Sequence, residues 1–286
     1  MTRKEFVAFV APSAAIMLLL LAVPLAATFY MSLQRLTFGG SPVFVGLDNF
    51  VAVLKDAQFH GALAFTLLYV AISIPMHTAL GFCLALMLER VAVALRGALI
   101  AAFAMPFIMT PVVGTLVFSW FFKDYWGLVP FLLDKVGLHV LWFADPWPAR
   151  WVLILWGIWW SFGFNVIVLF AGLQTVPEEV LNAAVVDGAG WFQRLRHIVV
   201  PHLLPFFGLI TLFNLMDAYR IFDSVWVMTK GGPGTATETL SYLNYRVAFE
   251  LKDLGRGSAI SMLSILGILI LTAPFWWRRF KQDTGQ

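Results

Sequence analysis

Charge is what this sequence has least of. Only 12% of its 286 residues are Asp, Glu, Lys or Arg, about half of the roughly 25% found in ordinary soluble domains. With 60% hydrophobic residues, a water-soluble fold would have too few charges to cover its surface, so that class is excluded. Cysteine is nearly absent. Cys83 is single, which excludes an intrachain disulfide and a cysteine-based metal cluster; inside an apolar run it reads as a small buried side chain. No G-x-x-x-x-G-K-[ST] phosphate loop occurs, and Gly231-Gly232-Pro233-Gly234 is not followed by a lysine that would reach a phosphate. His60, His77, His139, His197 and His202 show neither HExxH nor another metal-ligand spacing, and read as structural or surface residues. The net charge of +3 comes from basic residues scattered singly or in pairs, so there is no basic stripe and nucleic acid is excluded as a partner.

What the chain does have is apolar length. Runs that can cross a bilayer, about 20 residues each, are predicted over residues 8–31, 62–88, 98–121, 150–173, 206–228 and 256–277. Each must be helical, because backbone groups facing lipid have to be satisfied within their own segment. The fold class is therefore all-α: a polytopic membrane protein with six transmembrane helices, one domain over residues 1–286, its core about 60–277 and an additional N-terminal span at 8–31. Arg3 and Lys4 ahead of a long apolar run imitate a secretory signal, but the run is too long and no small-x-small cleavage site follows, so a retained first helix is expected. Pro12, Pro24, Pro75, Pro106 and Pro111 fall in or near spans, where neighbouring helices accommodate kinks.

Orientation follows from the short connections. With the N-terminus inside, Arg3, Lys4, Arg90, Arg96, Arg194, Arg196, Arg278, Arg279 and Lys281 are internal, and Lys and Arg are about 1.7-fold denser there than outside. Both termini are predicted to be cytoplasmic. Trp142, Trp147, Trp151, Trp276 and Trp277 sit where interfacial anchors belong.

The longest internal connection, residues 174–205, carries helix punctuation. Thr175 and Glu178 stand in the relation of a capping box, Pro177 falls in the first turn, and Glu178 and Glu179 favour the positive helix end. A helix is predicted over 176–187, with Val180, Leu181, Ala184 and Val185 as its apolar face and Gly188 leaving it in a left-handed conformation. Trp191 to Val199 is predicted as a second helix, stopped by Pro201 and Pro205.

Asn182-Ala183-Ala184-Val185-Val186-Asp187-Gly188-Ala189, followed by Ile198, Pro201 and Pro205, resembles the EAA loop of binding-protein-dependent ABC transporter permeases, in which E-A-A-x-x-D-G-A precedes I-x-x-P. Asn182 replaces the family's glutamate; Glu178 or Glu179 is the available substitute for a salt bridge carried there. Val45-Gly46-Leu47-Asp48-Asn49-Phe50 and Val227-Met228-Thr229-Lys230-Gly231-Gly232-Pro233 resemble two further family stretches, of the carbohydrate-uptake branch (maltose, glycerol-phosphate or trehalose type), and the short basic tail looks like that of the first permease. The resemblance implies the transmembrane fold of a type I ABC importer. It implies inner-membrane location, a second homologous permease, two ABC ATPase subunits carrying ATP and Mg, an extracytoplasmic solute-binding protein, membrane lipid around the chain, and no cofactor on the chain itself. It also implies a coupling helix against the ATPase, with Glu178, Glu179, Asn182, Ala183, Ala184, Asp187, Gly188, Ala189 and Pro201 as coupling residues.

A charged side chain at membrane depth costs about 2.5–3.5 kcal/mol on insertion scales, which makes polar residues there informative. Asn214, Asp217, Arg220 and Asp223 fall in the predicted fifth span at three-residue spacing, so that Arg220 is within reach of either carboxylate. Asn214 and Asp217 read either as hydroxyl-binding groups for a sugar or polyol, or as ties between helices. Trp159, Ser161 and Phe164, with Asn165 beside them, offer sugar-compatible contacts or plain packing. An ion-gradient-driven transporter would use Asp217 and Asp223 as coupling residues; six spans and the EAA loop argue against it. A membrane enzyme would need a catalytic cluster, which the sequence lacks.

Overall fold

A computed structural model of the chain describes residues 3–283, with the side chains of 3–8, 276 and 278–283 outside that description; Trp276 and the side chains of the basic tail therefore lie outside the described residues. In chain order the elements are α1 (Arg3–Ser32), the short antiparallel pair β1 (Gln34–Arg35) and β2 (Val43–Phe44), α2 (Asp48–Lys55), α3 (Ala57–Arg90), α4 (Val93–Ile108), α5 (Pro111–Phe121), α6 (Leu128–Asp134), α7 (Pro146–Leu173), α8 (Glu178–Val186), α9 (Trp191–Arg194), α10 (Val200–Tyr219), α11 (Leu240–Tyr245) and α12 (Leu254–Asp283). Three π-helical turns, Leu195–Val199, Val225–Thr229 and Arg246–Glu250, join or flank these helices. The fold is all-α apart from the two-residue strands.

Among the described residues, five helices are long and apolar enough to span a membrane: Phe9–Ser32, Ala57–Arg90, Pro146–Leu173, Trp191–Tyr219 and Leu254–Phe275. The third predicted span, 98–121, is instead the bent pair α4 and α5, which meet at 97°. The cause is local. Thr110 precedes Pro111 and is extended (φ −67°, ψ 135°), as is Met109, because the proline ring disfavours α conformation in the residue before it.

The fifth span also differs from its predicted limits. Pro201 and Pro205 do not stop a helix at Val199; they lie within a run continuing from Trp191 to Tyr219. The π-helical turn at Leu195–Val199 widens the hydrogen-bond ladder just before Pro201, where a missing N–H and a bulky ring would otherwise break it. At its other end the helix stops at Tyr219, before the predicted 228. Arg220 leaves the helical conformation (φ −98°, ψ 15°), and the Thr239 hydroxyl donates to the freed Ile221 carbonyl at 2.9 Å. Asp223 therefore belongs to the segment beyond the helix.

Two compact units group the chain, one comprising residues up to His60 with Leu243–Leu269, the other Gly61–Tyr242 with the residues after Leu269. In the first, buried Asn49 donates from Nδ2 to the carbonyls of Ser32 (2.9 Å) and Gln34 (2.8 Å). One amide thus satisfies the free carbonyl at the end of α1 and pins the strand that follows. Gly255 packs directly on the Gln34 carbonyl, where a Cβ has no room.

The second unit is built around α7. Val152, Leu153 and Trp156 pack with Phe65, Phe122, Val225, Met228 and Tyr242; several turns further on, Leu169 and Leu173 pack with Ala85, Leu203 and Ile210. In lipid, helix association depends on close van der Waals fit and small interface residues rather than on hydrophobic transfer. Gly163 meets the Phe103 carbonyl of α4, Gly81 of α3 meets Asn165, and Gly172 meets Leu203 and Phe206 of α10. Cys83 is exposed on α3 rather than buried, since an apolar run in a spanning helix can face lipid as well as a packed core.

Candidate functional site

The first candidate is the loop carrying α8. Helix α8 has nine residues, none of them buried; Leu181 and Ala184 are half-buried, while Val180, Val185 and Val186 stand exposed, Val186 at 87%. Both ends are fixed. Ahead of it, Val176 is buried and the Thr175 hydroxyl donates to the Gly172 carbonyl (2.7 Å) while sharing a 2.9 Å hydrogen bond with His202 Nε2 of α10. Thr175 is thereby committed to the end of α7, and the predicted capping box with Glu178 does not form; Pro177 occupies the N-cap position.

At the other end, Gly188 is left-handed (φ +82°). Its N–H donates to Val185 O (3.0 Å) and that of Ala189 to Ala184 O (2.8 Å), the double bond pattern that closes a helix and satisfies its orphan carbonyls. Asp187 is the C-cap. Gln193 Oε1 then accepts from the Gly190 N–H (2.8 Å) and starts α9, where the Arg90 guanidinium lies 5.4 Å over the Trp191 ring. Helix α8 is thus a stiff exposed segment held by α7, α10 and the α3–α4 connection. Glu178, Glu179, Asn182, Ala183 and Asp187 are exposed along it, Ala189 is half-buried, and Pro201 is exposed at the start of α10.

The second candidate is a cavity within the same unit, with about 110 Å³ of enclosed space behind an open mouth. Tyr69, Ser73 and His77 of α3, Pro111 of α5, Trp156, Trp160 and Ser161 of α7, and the stretch Asp217–Ser224 supply its walls. It brings Asp217 and Ser161 together, with Arg220 and Asp223 alongside. No ion pair joins Arg220 to either carboxylate among the described residues; its Nε donates to the Met216 carbonyl at 3.1 Å instead.

Asn214, Trp159 and Phe164 do not line this cavity. Asn214 is buried and donates to Asn165 Oδ1 at 2.9 Å. Trp159 packs on Phe118 and Trp156 with ring centroids 5.5 and 5.4 Å apart, beside a separate apolar hollow lined by Val117, Phe121 and Val129. Phe164 lies between Phe107 (5.5 Å) and Phe213 (5.9 Å). Sequence reasoning missed Tyr69, Ser73 and His77 as cavity residues: they sit on α3, about ninety residues from the polar stretches of α7, and only the packing of α3 on α7 joins them.

Comparison with known proteins decides the family. The sequence pattern described as "Binding-protein-dependent transport system inner membrane component" matches residues 77–284. This chain belongs to that family. The trehalose/maltose transport system permease protein MalF of Thermococcus litoralis is 32% identical over 276 residues, covering 95% of this chain and 92% of that protein. The trehalose transport system permease protein SugA of Mycobacterium tuberculosis is 33% identical over 280 residues, covering 97% and 89%, and the sulfoquinovosyl glycerol transport system permease protein SmoG of Agrobacterium fabrum is 31% identical over 276 residues, covering 96% and 89%. Among solved structures, a bacterial ABC transporter that imports the acidic polysaccharide alginate matches with a TM-score of 0.82 at 23% identity, over 96% of both chains; that likeness shows the fold. The all-α, multi-pass architecture described above is therefore the transmembrane architecture of an ABC importer permease. The family is one of transport permeases rather than of enzymes.

Proposed function

We propose that this permease carries a sugar, polyol or glycerol derivative across the inner membrane as half of a pathway completed by a second, homologous permease. The names of its sugar-transporting relatives support the solute class. ATP and Mg belong to two separate ATPase subunits, an extracytoplasmic binding protein delivers the solute, lipid surrounds the spans, and both termini lie in the cytoplasm together with α8.

The observation that carries this reading is the geometry of α8: an exposed, short helix fixed at both ends to the spans it has to move. Movement is transmitted only by an element that does not deform first. The hydrogen-bonded exit at Gly188 and the Thr175–His202 contact at the entrance meet that requirement. Closure of the ATPase subunits against Val180, Val185 and Val186, with Glu178, Glu179 and Asn182 at the edge, would displace α7 and α10 together. Since these two helices also wall the cavity, the same displacement would open it to one side of the membrane and then the other.

The cavity is then the solute's station on this half of the path. Asp217 and Ser161 supply hydrogen-bonding groups, and Trp156 and Trp160, with rings 5.0 Å apart, supply the apolar faces that sugar rings accept. Asn214, Trp159 and Phe164 support that wall from behind. Cross-linking from a single cysteine at Ala184, in a chain with Cys83 replaced by serine, tests the assignment: capture of the ATPase subunit in the active importer is expected. An active importer that never yields the adduct, or uptake that persists without ATPase and collapses with the ion gradient, would refute it.

A further inference from the structure

Three helices share one buried chain of side chains. Asn214 of α10 donates from Nδ2 to Asn165 Oδ1 of α7 at 2.9 Å, and Asn165 Nδ2 lies 2.7 Å from His77 Nδ1 of α3; all three residues are buried. An amide nitrogen has only protons to give. His77 Nδ1 must therefore accept, so the neutral ring carries its proton on Nε2. The direction is set at the far end, by Asn214, and passed through Asn165.

His77 also lines the cavity, and among the described residues no hydrogen bond occupies its Nε2. Ser224 is only 2% exposed, lines the same cavity, and its hydroxyl has no hydrogen-bond partner among the described residues. Buried polar groups are nearly always paired. Two with spare capacity lining one cavity mark a place where a ligand completes the set. The remaining charges on that wall are Asp217, Asp223 and Arg220, two carboxylates against one guanidinium, a balance that repels anions.

We propose that His77 is a specificity-determining hydrogen-bond donor to the transported solute, presented by Asn165 and Asn214, and that this solute is uncharged and rich in hydroxyls rather than an anionic sugar. The inference rests on the importer reading above. A donor whose direction is fixed by a relay loses no freedom when it binds, and it distinguishes an acceptor oxygen at one place on the solute from any group that only donates. Asn165 and Asn214 act as positioning residues, since neither lines the cavity.

The test uses the assembled importer with its own binding protein. Nitrogen-15 labelling of histidine in the complete chain reads the tautomer directly: a protonated Nε2 on His77 is expected, and a protonated Nδ1 overturns the relay. Asn165→Asp, which can only accept, should move the proton to Nδ1. Uptake in proteoliposomes is then measured with labelled trehalose, maltose, glycerol and galacturonate. A neutral probe should be taken up, and His77→Phe should raise its KM roughly tenfold, the loss expected of one ligand hydrogen bond, with His77→Gln restoring most of it. Uptake of galacturonate alone, or an unchanged KM in His77→Phe, overturns the proposal. If the wild-type importer shows no ATP-dependent uptake of any probe, the importer reading fails instead, while the histidine tautomer still decides the relay.

Discussion

Ala189 donates its N–H to the Ala184 carbonyl at 2.8 Å, across Gly188 in the left-handed region at φ +82°. That bond turns the chain away from α8 in a defined direction, because the six residues it closes have no other conformation that satisfies the last carbonyls of the helix. An Ala-Ala-x-x-Asp-Gly-Ala string is therefore a mechanical specification. Two alanines leave the helix surface open, the aspartate ends it, the glycine alone makes the turn without strain, and the last alanine closes the loop.

Gly188→Ala tests this specification. A Cβ at Gly188 meets nothing within 4 Å, so the cost is purely the left-handed backbone, about 1–2 kcal/mol. The chain relieves it by opening the turn. Expected are normal membrane insertion and ATP hydrolysis with a several-fold lower uptake per ATP. Gly137 is the matched control: it has φ +77° and equally open surroundings, yet lies far from α8 in sequence. Gly137→Ala should leave the uptake-to-hydrolysis ratio unchanged. Equal ratios in both variants would remove Gly188 from the coupling path.

The helix end at Gly188 was legible because everything that makes it lies within six residues. The same holds for the apolar runs, whose length alone demands helices. The fifth span was misplaced because its limits are set by distant partners: the π-helical turn that carries the chain past Pro201, and the Thr239 hydroxyl that stabilises the break at Ile221. Thr175 shows the limit of motif reading. Its spacing to Glu178 fits a capping box, but Gly172 and His202 compete for the hydroxyl and win. The polar relay was beyond reach in principle, since His77, Asn165 and Asn214 are joined only by the packing of three helices, and none belongs to a local pattern with the others.

Gly163→Ala probes that packing. The added Cβ would lie directly against the Phe103 carbonyl and close to Ala104 Cα, both backbone groups that cannot rotate aside. Helices α4 and α7 must separate, a cost of about 1–3 kcal/mol by the scale of overpacked cores. A lower Tm of the purified complex is expected, measured by tryptophan fluorescence, together with weaker assembly. Gly208→Ala on α10, where a Cβ meets nothing within 4 Å, should leave the Tm unchanged.

The hold on α9 makes a separate claim. Arg90 lies over Trp191 at 5.4 Å, a contact worth about 0.5–2 kcal/mol, and it joins the α3–α4 connection to the start of α9, just past α8. Arg90→Gln removes the cation and keeps the length of the side chain. Reduced transport per ATP is expected, with Arg90→Lys intermediate because ammonium also binds an aromatic face. Identical coupling in all three proteins would show that the contact bears no load.

Asn214 and Asp217 look equivalent in the sequence, three residues apart on one span, and the structure separates them. Asn214 is buried and bonded to Asn165; Asp217 opens on the cavity. Asn214→Leu leaves Asn165 Oδ1 without its donor inside a buried contact, at a cost of about 1–3 kcal/mol, so thermal stability should fall along with any change in transport. Asp217→Asn keeps the size and a hydrogen-bonding oxygen while removing a charge that is not ion-paired among the described residues. Its Tm should therefore stay at the wild-type value, while the KM for solute shifts and exclusion of anionic sugars weakens. Melting curves and competition by galacturonate, measured on the same two variants, separate the roles. A drop in Tm for Asp217→Asn with unaltered kinetics would place both residues in the scaffold and leave the cavity without its acceptor.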